Sequence, residues 1–220
     1  MKKERTLPED FIILILQPEK GRLMAQGNAL AQSVAVAALT GLLLKGRISL
    51  EKGKVFVRKP AFNGDVAEDT IIRKISSRRK PGKFRYWTGK LFFRGDRLLK
   101  ETLKGLVQKN ILYEREHRVL NIFPYRTYFL HKKKIREELL LQLQTVIYED
   151  DLPDIRQAVL LQLLASCNLG RIVVRKKEDI RIFRKKVKAF RKDERIAGVF
   201  PEILGEVKKA AAVSEAVPGG

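Results

Sequence analysis

The chain has almost none of the residues from which active sites and metal centres are usually built. One cysteine and two histidines stand among 220 residues. A single cysteine excludes an internal disulfide, which suits a reducing compartment. Cys167 lies in the apolar run Leu160–Leu164–Cys167 and reads as a small core residue, with no basic neighbour to make its thiol reactive. His117 and His131 lack the partners of an HExxH-type or HxxEH-type motif, so metal-ligand spacing is absent. A phosphate-cradling loop is missing too, because Gly41 and Gly46 occupy helix or cap positions. Glu149-Asp150-Asp151 sits beside Pro153 and reads as a solvated loop. Without a nucleophile–base pair to argue from, the expectation is a protein that is not an enzyme and uses neither cofactor nor metal.

Proline and glycine are also sparse, 8 and 15 residues, and too scattered for a disordered or repetitive chain. No apolar run is long enough to span a bilayer, which takes about 20 residues. Phe11 to Leu16 is short and follows the acidic pair Glu9-Asp10, which argues against a secretory signal. Ala29 to Leu44 is longer but carries Gln32, Ser33 and Thr40, and reads as a buried core helix. Any membrane association is therefore expected to be peripheral.

What the chain has in excess is positive charge. Lys and Arg number 46 against 25 Asp and Glu, giving a net charge of +21. A fold does not need that excess, and self-repulsion makes it a cost. It points to a polyanionic partner, either nucleic acid or an acidic lipid surface.

The order of local signals describes one mainly α-helical domain over residues 6–207, with loose ends at 1–5 and 208–220. Thr6-Leu7-Pro8-Glu9 is a capping box that opens a helix running to about Gln17. Asn28 is expected to cap the Ala-rich helix ending at Gly46, whose small residues place it at the centre of a bundle. Ile48–Leu50 and Val55–Val57 form a β-hairpin across a Gly-containing turn. Asp65 caps a helix to about Ser76, and a basic linker follows to Lys83. Helices are expected near Phe84–Phe93 and over Asp96–Lys109, then a second hairpin over Ile111–Phe129. Helices over Lys132–Tyr148 and Asp154–Cys167, a long basic stretch from Arg171 to Lys192, and a closing segment Pro201–Ala211 complete the chain.

Cations gather in two stretches. The first comprises Arg73, Lys74, Arg78, Arg79, Lys80, Lys83 and Arg85. The second, Arg171 to Lys192, holds 11 Lys or Arg in 22 residues. Ile180, Phe183, Val187 and Phe190 recur through it at helical spacing. Such a stripe fits a helix lying at a membrane surface, with Arg181, Arg184, Lys185 and Lys188 on its basic face; it equally fits a helix whose apolar side faces the core. The second hairpin carries Val119, Leu120, Ile122 and Phe123 near its turn, with Arg115, Arg118 and Arg126 close by. Those apolar groups are candidates for insertion among lipid head groups.

Several stretches, taken in order, resemble the Golgi phosphoprotein 3 family. They are the opening helix Thr6–Leu16, the run Leu42-Leu43-Leu44-Lys45-Gly46-Arg47-Ile48-Ser49-Leu50-Glu51, the Gly64-Asp65-Val66 turn with Asp69, Leu106-Val107-Gln108-Lys109-Asn110-Ile111-Leu112, and the late helix Arg156–Cys167. The resemblance covers about Thr6 to Val207. It implies a compact helical bundle ringed by amphipathic helices, with a projecting β-hairpin, in a peripheral membrane protein. Eukaryotic relatives bind phosphatidylinositol 4-phosphate on the cytosolic face of Golgi membranes and help to retain glycosyltransferases. The absence of their long polar leader points to a prokaryotic member. In the family's lipid pocket a Trp precedes the central helix and an Arg lies within it; Gln26 and Ala35 hold those places here. An Arg-x-x-Arg pair carries over to Arg94 and Arg97, and Lys90 and Arg85 join them as candidate head-group ligands, with Arg78, Arg79 and Lys80 as basic surface.

Three functions compete at this stage. One is a peripheral binder of anionic lipid, phosphoinositide included. Another is a nucleic-acid module in which Asp96–Lys109 and the following hairpin act as helix and wing. The third is a scaffold that retains membrane enzymes with basic cytoplasmic tails.

Overall fold

A computed structural model describes residues 4–119, 122–149, 152–190, 192, 193 and 205. Among them are eight α-helices and three two-stranded antiparallel sheets, a mainly α-helical fold with β-hairpins as expected. Helix α1 (Leu7–Ile15) begins with the capping box: Thr6 accepts from the Glu9 amide and the Glu9 carboxylate accepts from the Thr6 amide. Every residue of α1 is buried. Strands β1 (Leu16–Gln17) and β2 (Arg22–Leu23) pair across a tight turn.

Helix α2 (Gly27–Leu44) is the axis of the molecule. Its alanines bring neighbouring backbones close on several sides at once, and Val34, Ala35, Val36, Ala37 and Leu39 have no exposed surface. This 18-residue helix is apolar enough to cross a membrane by composition, yet two thirds of it is buried in the fold. The expected cap at Asn28 is not used: Gln26 is the N-cap, without a side-chain hydrogen bond, and Asn28 lies inside the first turn. At the other end Gly46 takes φ +59°, the left-handed conformation that closes a helix.

Strands β3 (Ile48–Glu51) and β4 (Lys54–Val57) are joined by Lys52-Gly53, both at positive φ as a primed two-residue turn requires. Asp65 caps α3 (Val66–Ser76) through the Glu68 amide. The sheet and α3 are tied together by Arg47. Its guanidinium is buried against Glu68 and Asp69, at 3.4 and 3.2 Å, and also donates to the Ala61 carbonyl at 2.6 Å. Thus Arg47 and Asp69, which lie in two of the stretches that carry the family resemblance, meet in one internal ion pair.

Helices α4 (Phe84–Phe92) and α5 (Gly95–Gln108) meet at a two-residue corner, Phe93-Arg94, and both pack on α2. Strands β5 (Leu112–Val119) and β6 (Phe123–Leu130) form the projecting hairpin in unbroken register. Its root is braced on the β1–β2 turn. The Tyr128 amide donates to the Gly21 carbonyl at 2.8 Å, and a Cβ at Gly21, which has φ +64°, would fall 2.7 Å from the Phe129 ring. Helices α6 (Lys134–Tyr148), α7 (Ile155–Ser166) and α8 (Ile180–Phe190) close the far side, with a second capping box at Asp154 and Gln157.

The basic stretch from Arg171 opens in short 3₁₀ turns at Gly170–Ile172 and Lys177–Asp179 and continues as α8. The α8 apolar stripe is core. Phe183, Val187 and Phe190 are buried, with α8 packed on α6 and α7, so it is not available to lie in a membrane surface. The segment Pro201–Ala211 lies outside the described residues apart from Gly205, as do residues 1–3 and 206–220 of the two ends. Within the expected N-terminal loose end, Arg5 is held by Asp10 at 2.6 Å.

Candidate functional site

The last turn of α3 carries Arg73-Lys74, the linker carries Arg78, α4 presents Tyr86 and Lys90 one turn apart on one face, and Arg94 follows at the α4–α5 corner. These segments enclose a cavity of about 340 Å³ lined by Ile71, Lys74, Ser77, Arg78, Tyr86, Trp87, Lys90, Leu91 and Arg94. Four of the lining groups are cations and none is a carboxylate. Among the described residues, Lys74, Arg78, Lys90 and Arg94 have no acid at ion-pair distance.

An aromatic floor orders two of the cations. The Arg78 guanidinium lies 4.2 Å from the Tyr86 ring centre and donates to the Tyr86 hydroxyl at 2.5 Å. The Lys90 ammonium is 5.8 Å from the same ring. Trp87 meets Tyr86 edge-on, with ring centres 5.2 Å apart. Such cation–π pairs hold cationic heads over a face without neutralising them. The Lys74 pKa is pulled below the usual lysine value, first by burial and then by the positive charges of Arg94 and Arg97, with Glu101 opposing.

Larger clefts lack this charge pattern. One of about 1110 Å³ runs past α1, α6 and α7. Its cations are largely consumed: Arg5 and Arg156 both clamp Asp10 at 2.6 Å, Lys109 pairs with Glu9 at 2.6 Å, and Lys134 meets Glu138.

The residues expected at a lipid site fall in different places. Arg94 and Lys90 come together, and Arg78 joins them. Arg97 turns outward and pairs with Glu101 at 2.9 Å, while Arg85, Arg79 and Lys80 are exposed and do not line the cavity. Gln26 lies elsewhere, in a cleft of about 440 Å³ with Arg22, Asp96, Leu99, Arg126 and Tyr128. Ala35 is sealed in the core. The pocket implied by the resemblance is therefore not assembled from Gln26, Ala35, Arg94 and Arg97. The first turn of α5 divides the two clefts, with Arg94 on one side and Asp96 and Leu99 on the other. Lys74, Tyr86 and Trp87 were not among the expected head-group ligands. For Tyr86 the signal is its four-residue spacing from Lys90, continued to Arg94 at the α4–α5 corner; Lys74 and Trp87 have no such signal.

Of the expected insertion residues, Ile122 at the hairpin turn is 70% exposed. Leu120 lies outside the described residues, and for Val119 and Phe123 the structure gives the paired backbone alone. Arg181, Arg184, Lys185 and Lys188 are exposed on α8, separate from the cavity.

The family model for Golgi phosphoprotein 3 (GPP34) matches residues 7–217, nearly the whole chain. No curated protein matches it.

Proposed function

The chain belongs to the Golgi phosphoprotein 3 family, and from that footing we propose that it is a peripheral membrane protein that docks on anionic lipid head groups through the cavity between α3 and α4. The supporting observation is the convergence of Lys74, Arg78, Lys90 and Arg94 around Tyr86 and Trp87 with no carboxylate in the lining. Cations whose charge no carboxylate neutralises at close range can meet phosphate. Near an acidic leaflet each contributes roughly 1 kcal/mol, so four suffice for reversible docking that salt weakens. Ile122 at the hairpin turn adds apolar surface that an interface would bury. In this reading the protein acts by binding rather than catalysis, at the cytosolic face of a membrane. A membrane enzyme with a basic tail would have to be held by another surface, because like charges repel.

Flotation with phosphatidylcholine vesicles, plain or containing phosphatidylserine, tests the proposal. Binding should require the acidic lipid and fall with salt. The Lys90→Ala/Arg94→Ala variant should bind about thirtyfold more weakly, the equivalent of two lost cations. A small addition of phosphatidylinositol 4-phosphate then asks whether a phosphomonoester is preferred. Binding indifferent to head-group charge would sink the reading, and a sequence-dependent gel shift in its place would favour the nucleic-acid one.

A further inference from the structure

Phe93 is the most exposed of the large hydrophobic side chains among the described residues, at 85%. Single exposed apolar residues are common on protein surfaces and by themselves mean little. This one stands at a particular place. Lys90 lies one turn before it and Arg94 directly after it, and both line the cationic cavity. Its ring meets Phe92 edge-on, with centres 5.5 Å apart, so the corner is aromatic on its outer side and cationic on its inner side.

The corner is also held rigidly. The Phe93 amide donates to the Gly89 carbonyl at 3.2 Å and the Arg94 amide to the Leu91 carbonyl at 3.0 Å. Leu91 and Leu98 are buried on either side of it. Gly95 is wedged so tightly against α2 that a Cβ there would fall 2.5 Å from the Ala31 Cβ. With its flanks fixed in this way, Phe93 has no route back into the core. Its exposure follows from the packing of two helices.

We infer that the α4–α5 corner is an interfacial anchor: Phe93 enters the acyl boundary of an acidic bilayer while Lys74, Arg78, Lys90 and Arg94 hold lipid phosphates beside it. The inference rests on the anionic-lipid reading above and adds the residue that grips the bilayer. A bilayer is favoured as the partner because the charges are positive and unpaired, and because a single aromatic side chain at a convex corner needs no complementary pocket in its partner. An amphipathic surface of this kind sinks its apolar part roughly 5–10 Å into the head-group boundary.

The chain contains one tryptophan, Trp87, and it lines this cavity at 5% exposure. Its emission reports on the cavity without itself reaching the bilayer. Three measurements are made on the full chain. In flotation with phosphatidylcholine/phosphatidylserine vesicles, Phe93→Ser should bind about tenfold more weakly than wild type, the scale of one aromatic side chain withheld from an apolar phase. With vesicles carrying bromine on the acyl chains, Phe93→Trp should gain an emission component that the bromine quenches, whereas wild-type Trp87 should not be quenched. With soluble glycerophosphate, the Trp87 response should be the same in wild type and Phe93→Ser, which separates phosphate binding from insertion and shows the variant to be folded.

If wild type ignores phosphatidylserine, the lipid reading fails and the anchor with it. If wild type follows phosphatidylserine but Phe93→Ser binds equally well, or Phe93→Trp stays unquenched, the anchor alone is overturned. Oligonucleotide binding that depends on Phe93 in the absence of vesicle binding would also overturn it.

Discussion

Arg47 and Lys74 are both partly or fully withdrawn from water, and they differ in what surrounds them. Arg47 is satisfied by Glu68, Asp69 and a backbone carbonyl. Replacing it with Met should leave two buried carboxylates short of their partner and cost about 3–5 kcal/mol, measured by urea denaturation. Lys74 has no carboxylate at ion-pair distance and sits near Arg94 and Arg97, with Glu101 only partly opposing them. A lysine whose folded pKa is depressed adds stability above its unfolded pKa and loses it as pH falls through the folded value, so at neutral pH its charge opposes folding. Lys74→Met should therefore be slightly more stable than wild type at low salt, as read by thermal denaturation, while binding acidic vesicles more weakly. That opposition of stability and binding, if measured, would mark a site kept for a ligand. Cys167 is the inert counterpart. Burial pushes its thiol above the usual range, with Ser33 and Ser166 opposing, so the thiolate fraction at neutral pH is lower than in a free cysteine. Alkylation of the native protein should be slow and should accelerate on unfolding.

The elements show which information is local. The capping boxes at Thr6 and Asp154, the Asp65 cap and the Lys52-Gly53 turn were legible because each is written within a few consecutive residues. Helix α8 was ambiguous because an amphipathic stripe reads the same whether it faces protein or lipid; only its packing on α6 and α7 decides the matter. Phe183→Ala should accordingly cost about 3–5 kcal/mol of stability in denaturant titration. The cavity was half legible. Arg94 and Lys90 could be named as head-group candidates from the sequence, and Lys74 and Arg78 only as members of a basic cluster; Tyr86 and Trp87 join them when α3, the linker and α4 fold together. The short β1–β2 pair escaped notice because two residues per strand leave no periodicity to read.

Over the whole molecule, the excess of 21 positive charges is sharpened by where the acids go. Glu9, Asp10, Asp65, Glu68 and Asp69 are spent inside, holding Lys109, Arg5, Arg156, Arg47 and Lys45. Cations without a carboxylate at ion-pair distance then remain on the surface, among them Lys74, Arg78, Lys90 and Arg94 at the α3–α4 cavity and Arg181, Arg184, Lys185 and Lys188 on the outer face of α8. Both contribute to attraction at long range, but only the cavity gathers its charges around one point. Reversing charge on α8 with Arg184→Glu/Lys188→Glu should slow association with acidic vesicles in stopped-flow mixing. Lys90→Ala/Arg94→Ala should instead act mainly on the dissociation rate, because these cations meet the head groups at close range.

The first turn of α5 separates two rooms of unlike character, with Arg94 facing one and Asp96 the other. Beyond Asp96 the hairpin carries Glu114 and Glu116 around Arg126. The first room holds four cations and no acid, whereas the second sets Asp96 against Arg22 and Arg126, so a negatively charged plane would draw the first more strongly than the second. The molecule would then land with a preferred roll, corner first, and its hairpin would reach the plane at a slant set by that single turn of helix.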